Sequence, residues 1–202
     1  LDGELVGLTS TLAGTGGGGD GRLGYAVPLD ANVRRIVDVL ARGEEVEYGF
    51  LGIVYNRDFP GSIVVSAVSP RGPSDGKLVP GEAIVRINGV PTRTYADLLY
   101  HVGSTLAGHP IELGVRGPNG QARTVELTVG KFRNDQPSIA ATRPAAVFGL
   151  RVDWGSVLSQ VVTLTTPVPP GVMVREALPG SPAAEKFRAL GEGRWLVTAV
   201  NG

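Results

Sequence analysis

Two stretches of this chain carry the same succession of short apolar runs, and this repeat limits the possible folds more than any other feature. In the 202 residues, the matching segments are 51–53 with 148–152, 60–67 with 170–177, and 82–89 with 195–202. The order is the same in both copies, while loop lengths differ. Such a repeat predicts two structural units built on one pattern. We expect the second copy to lack the helix and last strands of the first.

The first unit, residues 44–133, is predicted to be mainly β with one helix. Its strands are expected at 50–55, 62–68, 83–88, 111–115 and 123–129. Asn88-Gly89 is a strong hairpin-turn dipeptide. A helix is predicted from Thr94 to about residue 106, because apolar residues recur at helical spacing on one face. These residues are Leu98, Leu99, Val102 and Leu106.

Residues 1–43 are predicted to form two short strands, 4–10 and 23–27, followed by an amphipathic helix over 31–42. Asp30 offers an N-cap for that helix. Two strands and one helix cannot enclose a core, so we expect this part to be the end of a larger domain.

Residues 134–144 contain two prolines and little periodicity, and we predict a linker there. Residues 145–202, the second unit, follow it. The predicted fold class is therefore mainly β with short helices.

The composition excludes several kinds of partner and site. The 19 basic and 19 acidic residues balance, so no basic surface indicates nucleic acid or an anionic membrane. The chain has no cysteine, which excludes disulfides and thiolate metal sites. No apolar stretch approaches the ~18 residues that a membrane-spanning helix needs.

No catalytic residue or cofactor site is predicted from the motifs. His101 and His109 have no motif neighbours, and the G-x-S-x-G pattern of a nucleophilic serine is missing. Two histidines without cysteine do not give the spacing of a metal site. The glycine-rich stretch 14–21 is not followed by Lys-Ser/Thr or a helix, so we interpret it as a hairpin tip rather than a phosphate loop.

Four segments resemble bacterial PDZ domains. In the first unit they are 49–53 (GFLGI) and 80–89 (PGEAIVRING), and in the second 180–184 (GSPAA) and 193–202 (GRWLVTAVNG). The resemblance implies one PDZ domain over 44–133 and a partial one over 145–202.

Two segments near the beginning of the chain are 2–8 (DGELVGL) and 24–28 (GYAVP). They resemble HtrA/Deg-type serine proteases, whose fold starts with a trypsin-like β-barrel. The first segment is similar to the strand that follows that family's nucleophile motif, and the second to its substrate-facing strand. The resemblance implies that 1–43 ends such a protease domain. The family's catalytic His, Asp and Ser would precede Leu1, so no catalytic residue is assigned and enzymatic activity stays open.

By resemblance, the first unit binds peptides by adding them as a strand to a sheet edge. The implied site consists of a loop that captures the terminal carboxylate, a receiving strand and two helix residues. It comprises Tyr48, Gly49, Phe50, Leu51, Gly52, Ile53, Val54, Tyr55, Leu98 and Val102. We expect Leu98 and Val102 to be exposed in the groove more than Leu99, with core packing as the alternative for each.

In the complete protease, Leu23, Gly24, Tyr25 and Ala26 would pair with substrate, or alternatively serve only as a barrel strand. The resemblance further implies quality control of unfolded proteins in the periplasm, and a trimer-based homo-oligomer held by the protease portion. Two other hypotheses stay open, a degenerate protease homologue and a non-catalytic tandem-PDZ adaptor.

Three departures from the family pattern bear on the site. Glu82 replaces the usual Asp, and 71–78 (RGPSDGKL) replaces the segment that forms a short helix in the family. Phe148-Gly149-Leu150 is an atypical peptide-binding loop.

Overall fold

The computed structural model describes residues 4–14, 22–56, 62–135, 140–162, 166–189 and 194–200. These residues form thirteen strands and four helices, and their sheets are open rather than closed into a barrel. The predicted mainly-β class is confirmed. None of the helices in this part of the chain is long and apolar enough to cross a membrane.

The first elements are an antiparallel hairpin and a helix. Strand β1 (Gly7–Gly14) pairs with β2 (Arg22–Pro28), and helix α1 (Ala31–Ala41) follows. The Asp30 carboxylate accepts the amides of Asn32 and Val33, which confirms the predicted N-cap. The predicted glycine-rich hairpin tip lies mostly outside the described residues.

The first unit is built on a sheet in the order β4-β5-β6-β8-β9, with a short strand β7 beside β6. Its strands are β4 (Ile53–Asn56), β5 (Ile63–Val68), β6 (Ala83–Ile87), β7 (Val90–Pro91), β8 (Pro110–Arg116) and β9 (Ala122–Thr128). A separate two-stranded pairing joins β3 (Gly49–Phe50) to β10 (Gly130–Lys131).

The prediction of a single strand over 50–55 is wrong. Gly52 has a φ of +73°, in the left-handed region that glycine adopts at little cost. The chain therefore turns after Phe50, so that β3 pairs with β10 while β4 joins the main sheet. This break leaves a loop, Leu51-Gly52, between the two strands.

Helix α2 (Tyr95–Ser104) covers the sheet of the first unit. The Thr94 hydroxyl accepts the Asp97 amide, and the Asp97 carboxylate accepts the Thr94 amide, which forms a capping box. Leu98 and Val102 pack into the core with the buried residues of the strands. Residues 71–78 form turns instead of a helix, in line with their unusual sequence.

The second unit contains a three-stranded sheet and two helices. Strands β11 (Leu150–Trp154), β12 (Val172–Ala177) and β13 (Leu196–Val197) pair in that order. Helix α4 (Pro182–Ala189) follows β12. Helix α3 (Gly155–Val162) was not predicted from the sequence, and it lies in the connection that corresponds to the short 57–62 segment of the first unit.

Charged side chains connect the two units. The buried ammonium group of Lys131 lies 2.9 Å from Asp153, 3.1 Å from Glu47 and 3.5 Å from Glu45. Arg175 pairs with Glu45 and approaches Asp153. We call these five residues the junction cluster.

A hydrogen bond links the N-cap of α1 to α2. The Tyr100 hydroxyl donates to Asp30 at 2.6 Å. Partial burial, this hydrogen bond and the Asp30 charge together raise the pKa of Tyr100 to about 12.

We expect one of the five tyrosines of wild-type protein to ionise near pH 12 when absorbance at 295 nm is followed. Asp30→Asn removes the negative charge and is expected to move that step toward the ordinary value of about 10. Asp38→Asn, on the exposed side of the same helix, is the matched control and should leave it unchanged. A wild-type titration without a late step would contradict the prediction.

Candidate functional site

A cavity of about 630 Å³ lies between α2, β4 and the Leu51-Gly52 loop. We call it the groove. Most of its lining is apolar. The lining residues are Tyr48, Gly49, Phe50, Leu51, Gly52, Ile53, Tyr55, Tyr95, Leu98, Leu99, Val102, Gly103, Phe132, Arg133, Asp135 and Gln160.

Nearly all residues that the sequence predicts for peptide binding line the groove. Val54 is the exception among them. Its neighbours Ile53 and Tyr55 face the cavity, because alternate side chains of a strand point to opposite sides.

The predicted order of exposure along α2 is wrong. Leu98 and Val102 are 5% and 7% exposed, whereas Leu99 is 49% exposed. Residues four apart lie on one face of a helix, and here that face packs on the sheet. Leu98 and Val102 therefore lie at the buried bottom of the groove, and Leu99 lies at its solvent-exposed rim.

In the Leu51-Gly52 loop, the carbonyl groups accept hydrogen bonds from the protein, but the amides donate none within the described part of the chain. The buried Ser74 donates both its amide and its hydroxyl to the Leu51 carbonyl, and the Ser69 amide donates to the Gly52 carbonyl. The N–H groups of Leu51 and Gly52 donate to no group in the described part of the chain. The loop is thus held rigidly from behind and offers two hydrogen-bond donors beside the cavity.

Strand β4 offers an open edge to the groove. It is the terminal strand of the main sheet and, among the described strands, it pairs only with β5. The outer edge of a terminal strand can bind an extended chain by adding it as a further strand.

Two tyrosines meet at the other end of the groove. The rings of Tyr55 on β4 and Tyr95 at the start of α2 stack with centroids 4.9 Å apart. Tyr95 was not among the predicted site residues, although it lies three residues before Leu98 and four before Leu99 and so falls on the same helical face.

Four further residues that were not predicted line the loop end of the groove, namely Phe132, Arg133, Asp135 and Gln160. The first three follow β10, and Arg133 pairs with Asp135 at 2.6 Å. Gln160 lies on α3, which has no counterpart in the first copy of the repeat. No sequence signal connects it to the groove.

The predicted substrate strand, Leu23, Gly24, Tyr25 and Ala26, lies in β2, where it pairs with β1. Of these, Ala26 has a described side chain, and it is exposed. In the described residues, no three His, Asp or Glu side chains are arranged to hold a metal ion.

The loop of the second unit differs from that of the first. Val147 and Leu150 exchange two backbone hydrogen bonds of 3.0 and 2.9 Å around Phe148-Gly149. The Leu150 amide is therefore already used within a tight turn. Phe148 has a φ of +52° and is 81% exposed, whereas Phe50 is buried.

The chain is similar in sequence to known serine endoproteases. In an alignment of 197 residues that covers 92% of this chain, it is 27% identical to the periplasmic pH-dependent serine endoprotease DegQ of Escherichia coli K12. In a second alignment, of 152 residues that cover 69% of this chain, it is 32% identical to a probable periplasmic serine endoprotease DegP-like of Pseudomonas fluorescens. The chain is homologous to HtrA/DegP-type serine proteases over much of its length.

The chain spans 41% and 31% of the length of these two HtrA/DegP-type relatives. No protein-family model matches it. Among solved structures it is similar to the HtrA-type protease AlgW with a tripeptide, with 25% identity and a TM-score of 0.45. That match covers 65% of this chain and 47% of the other.

Proposed function

We propose that this chain is the peptide-binding portion of an HtrA-type serine endopeptidase, and that its groove binds the C-terminal residues of unfolded proteins. The observation that carries the proposal is the groove itself. An apolar cavity lies beside an open strand edge and ends at two unused amides.

The peptide would add to β4 as an extra antiparallel strand. Main-chain hydrogen bonds along the strand edge give affinity that does not depend on sequence, and side-chain contacts with the cavity add specificity. Leu99 and the underlying Leu98 and Val102 would contact the apolar side chains of the ligand. Exposed apolar C-termini occur on unfolded proteins, which supports these as the substrate class.

The amides of Leu51 and Gly52 would hold the terminal carboxylate. Hydrogen bonds to a charged acceptor are roughly twice as strong as neutral ones. Because Ser69 and Ser74 hold the loop carbonyls from behind, the donors need no rearrangement when the ligand arrives.

The homology supports a wider proposal for the parent protein. Residues 1–43 would end its protease domain, 44–133 would form the first PDZ domain, 134–144 a linker and 145–202 part of a second. The relatives' names support a periplasmic location, and we propose a homo-oligomer assembled through the protease portion. Leu23 to Ala26 would then pair with substrate.

The test is the binding of a short fluorescein-labelled peptide ending in Phe, followed by fluorescence anisotropy. Leu99→Glu places a charge in the open side of the groove and is expected to weaken binding at least about tenfold, or ~1.4 kcal/mol. Since Leu99 is half exposed, the fold should tolerate the change. Leu40→Glu, a similarly exposed leucine on α1, is the matched control.

Amidation of the peptide's C-terminus removes the charge that the loop would bind. We expect a loss of about tenfold from this change as well. Equal binding of the acid and the amide would contradict carboxylate capture, and no binding by wild-type protein would contradict the proposed function.

A further inference from the structure

We infer that Gln160, on the second unit, is a positioning residue of the groove in the first unit: it holds Phe132 as the wall that contacts the last side chain of the ligand. This inference rests on the proposed function and names a specificity determinant for it.

The Gln160 side chain joins α3 to the backbone that follows β9. Its Nε2 donates to the Lys131 carbonyl at 2.9 Å, and its Oε1 accepts the Arg133 amide at 2.9 Å. Nε2 also donates to the Ser156 carbonyl within α3. One amide side chain thus bonds two backbone groups of the segment 131–133, as a neighbouring strand would.

Ser156 adds two more bonds on the same side. Its hydroxyl accepts the Lys131 amide at 3.1 Å and donates to the Lys131 carbonyl at 3.0 Å. Ser156 and Gln160 are four residues apart and so share one face of α3. The Lys131 side chain is bound by Asp153 of the second unit as well.

The opposite edge of this segment forms part of the groove. The Phe132 amide donates to the Tyr48 carbonyl at 2.7 Å, which places Phe132 beside the loop whose amides would hold the carboxylate. Its ring lines the cavity and is half exposed. In an extended segment, the backbone N–H and C=O groups of adjacent residues point in opposite directions. The backbone groups of Lys131 and Arg133 therefore bond to α3, while the Phe132 amide bonds to Tyr48.

A second contact comes from the chain that follows α3. The Val168 amide donates to the Pro70 carbonyl at 2.8 Å. Pro70 directly follows Ser69, which holds the Gly52 carbonyl. The connection that contains α3 therefore contacts the segment 131–133 and the residue next to Ser69, and Gln160 is its member that also lines the cavity.

The experiment compares two labelled peptides, one ending in Phe and one in Ala, on the full chain. The measured quantity is the ratio of their dissociation constants, which we call the Phe preference. Phe132→Ala removes the wall and is expected to lower the Phe preference about tenfold, since aromatic contacts and apolar area are lost. Gln160→Met keeps the size of the side chain but removes its hydrogen bonds, and should lower the preference about threefold or more.

Gln121→Met is the matched control. Gln121 lies on an exposed hairpin turn away from the groove. We expect the Phe preference of the Gln121→Met variant to equal that of wild type. In the double variant, Gln160→Met should change the preference no further once Phe132 is alanine, because both act through one wall. If circular dichroism shows that Gln160→Met does not fold, Ser156→Ala tests the same segment. It is expected to lower the Phe preference by a smaller factor.

A purely structural role for Gln160 would weaken both peptides equally and leave the Phe preference unchanged, which would overturn the inference. An additive double variant would overturn it as well. If wild-type protein bound neither peptide, the proposed function itself would fail. This outcome differs from an unchanged Phe preference and from an additive double variant, in both of which wild-type protein binds the peptides.

Discussion

Lys131→Met is expected to lower the free energy of unfolding by about 3 kcal/mol at neutral pH. The Lys131 side chain is 4% exposed, and Asp153, at 2.9 Å from its ammonium group, is almost as buried. Without the lysine, the carboxylates of Glu45, Glu47 and Asp153 lie together, and Arg175 is the cation that the described residues place against them. Removal of one partner from a buried pair costs more than the pair contributes, because the other charge stays buried without compensation.

The effect should depend on pH in a defined direction. Burial acts to raise the pKa of Glu45, but the hydrogen bond from Arg175 and the Lys131 charge hold that pKa below its usual 4.5. Burial acts to lower the pKa of Lys131, but its bonds to Asp153 and Glu47 raise that pKa above 10.5.

In wild-type protein, the stabilisation from Glu45 is therefore present above pH 4.5 and is lost as pH falls through its folded-state pKa. The stabilisation from Lys131 is complete below pH 10.5 and is lost as pH rises through its folded-state pKa. In Lys131→Met, Glu45 loses the Lys131 charge that helps to lower its pKa, so its carboxylate takes up a proton more readily. The difference in stability between variant and wild type should thus shrink as pH falls from about 7 to about 4.

Urea unfolding followed by tryptophan fluorescence measures this effect. Trp154 donates its indole N–H to Glu47 of the junction cluster, so its emission reports directly on the contact between the units. Lys77→Met, an exposed lysine in a turn of the first unit, is the matched control and should change stability little. Equal losses in both variants, or a loss that grows on acidification, would contradict the account of the cluster.

Helix α1 and most of the first unit could be predicted from the sequence because local patterns there agree with the packing. Asp30 and Thr94 begin α1 and α2 as N-caps, and the apolar positions of the first unit's strands fill one core. The error in the exposure of Leu98 and Leu99 has a simple cause. Helical periodicity gives the face that two residues share, but which face meets the sheet depends on the rotation of the helix, which a single sequence leaves open.

Four residues at the loop end of the groove, Phe132, Arg133, Asp135 and Gln160, could not be predicted, because their place depends on contacts between distant segments. Gln160 is 27 residues from Arg133, whose amide it accepts. Helix α3 interrupts the repeat, so comparison of the two copies gave no counterpart for it. At Phe148 the sequence already departs from the family's loop pattern, and there the run similar to the first groove loop closes into a tight turn and leaves the ring exposed.

Gly49→Ala is expected to lower the free energy of unfolding by about 3 kcal/mol and to weaken peptide binding more than about tenfold. A Cβ at Gly49 would lie under 3.0 Å from the carbonyl oxygens of Val102 and Thr105. Both are backbone atoms at the C-terminal end of α2, so no side-chain rotation can relieve the overlap. Strand β3 and α2 would have to separate, and this would widen the loop end of the groove.

Gly103→Ala is the matched control for stability, because it makes the same substitution within α2. A Cβ at Gly103 meets no atom within 4 Å, and alanine favours a helix over glycine by roughly 0.5–1 kcal/mol. The two variants should therefore change stability in opposite directions, as measured by thermal and urea unfolding. If Gly49→Ala were as stable as wild type, β3 could not pack against the end of α2 as closely as the groove requires.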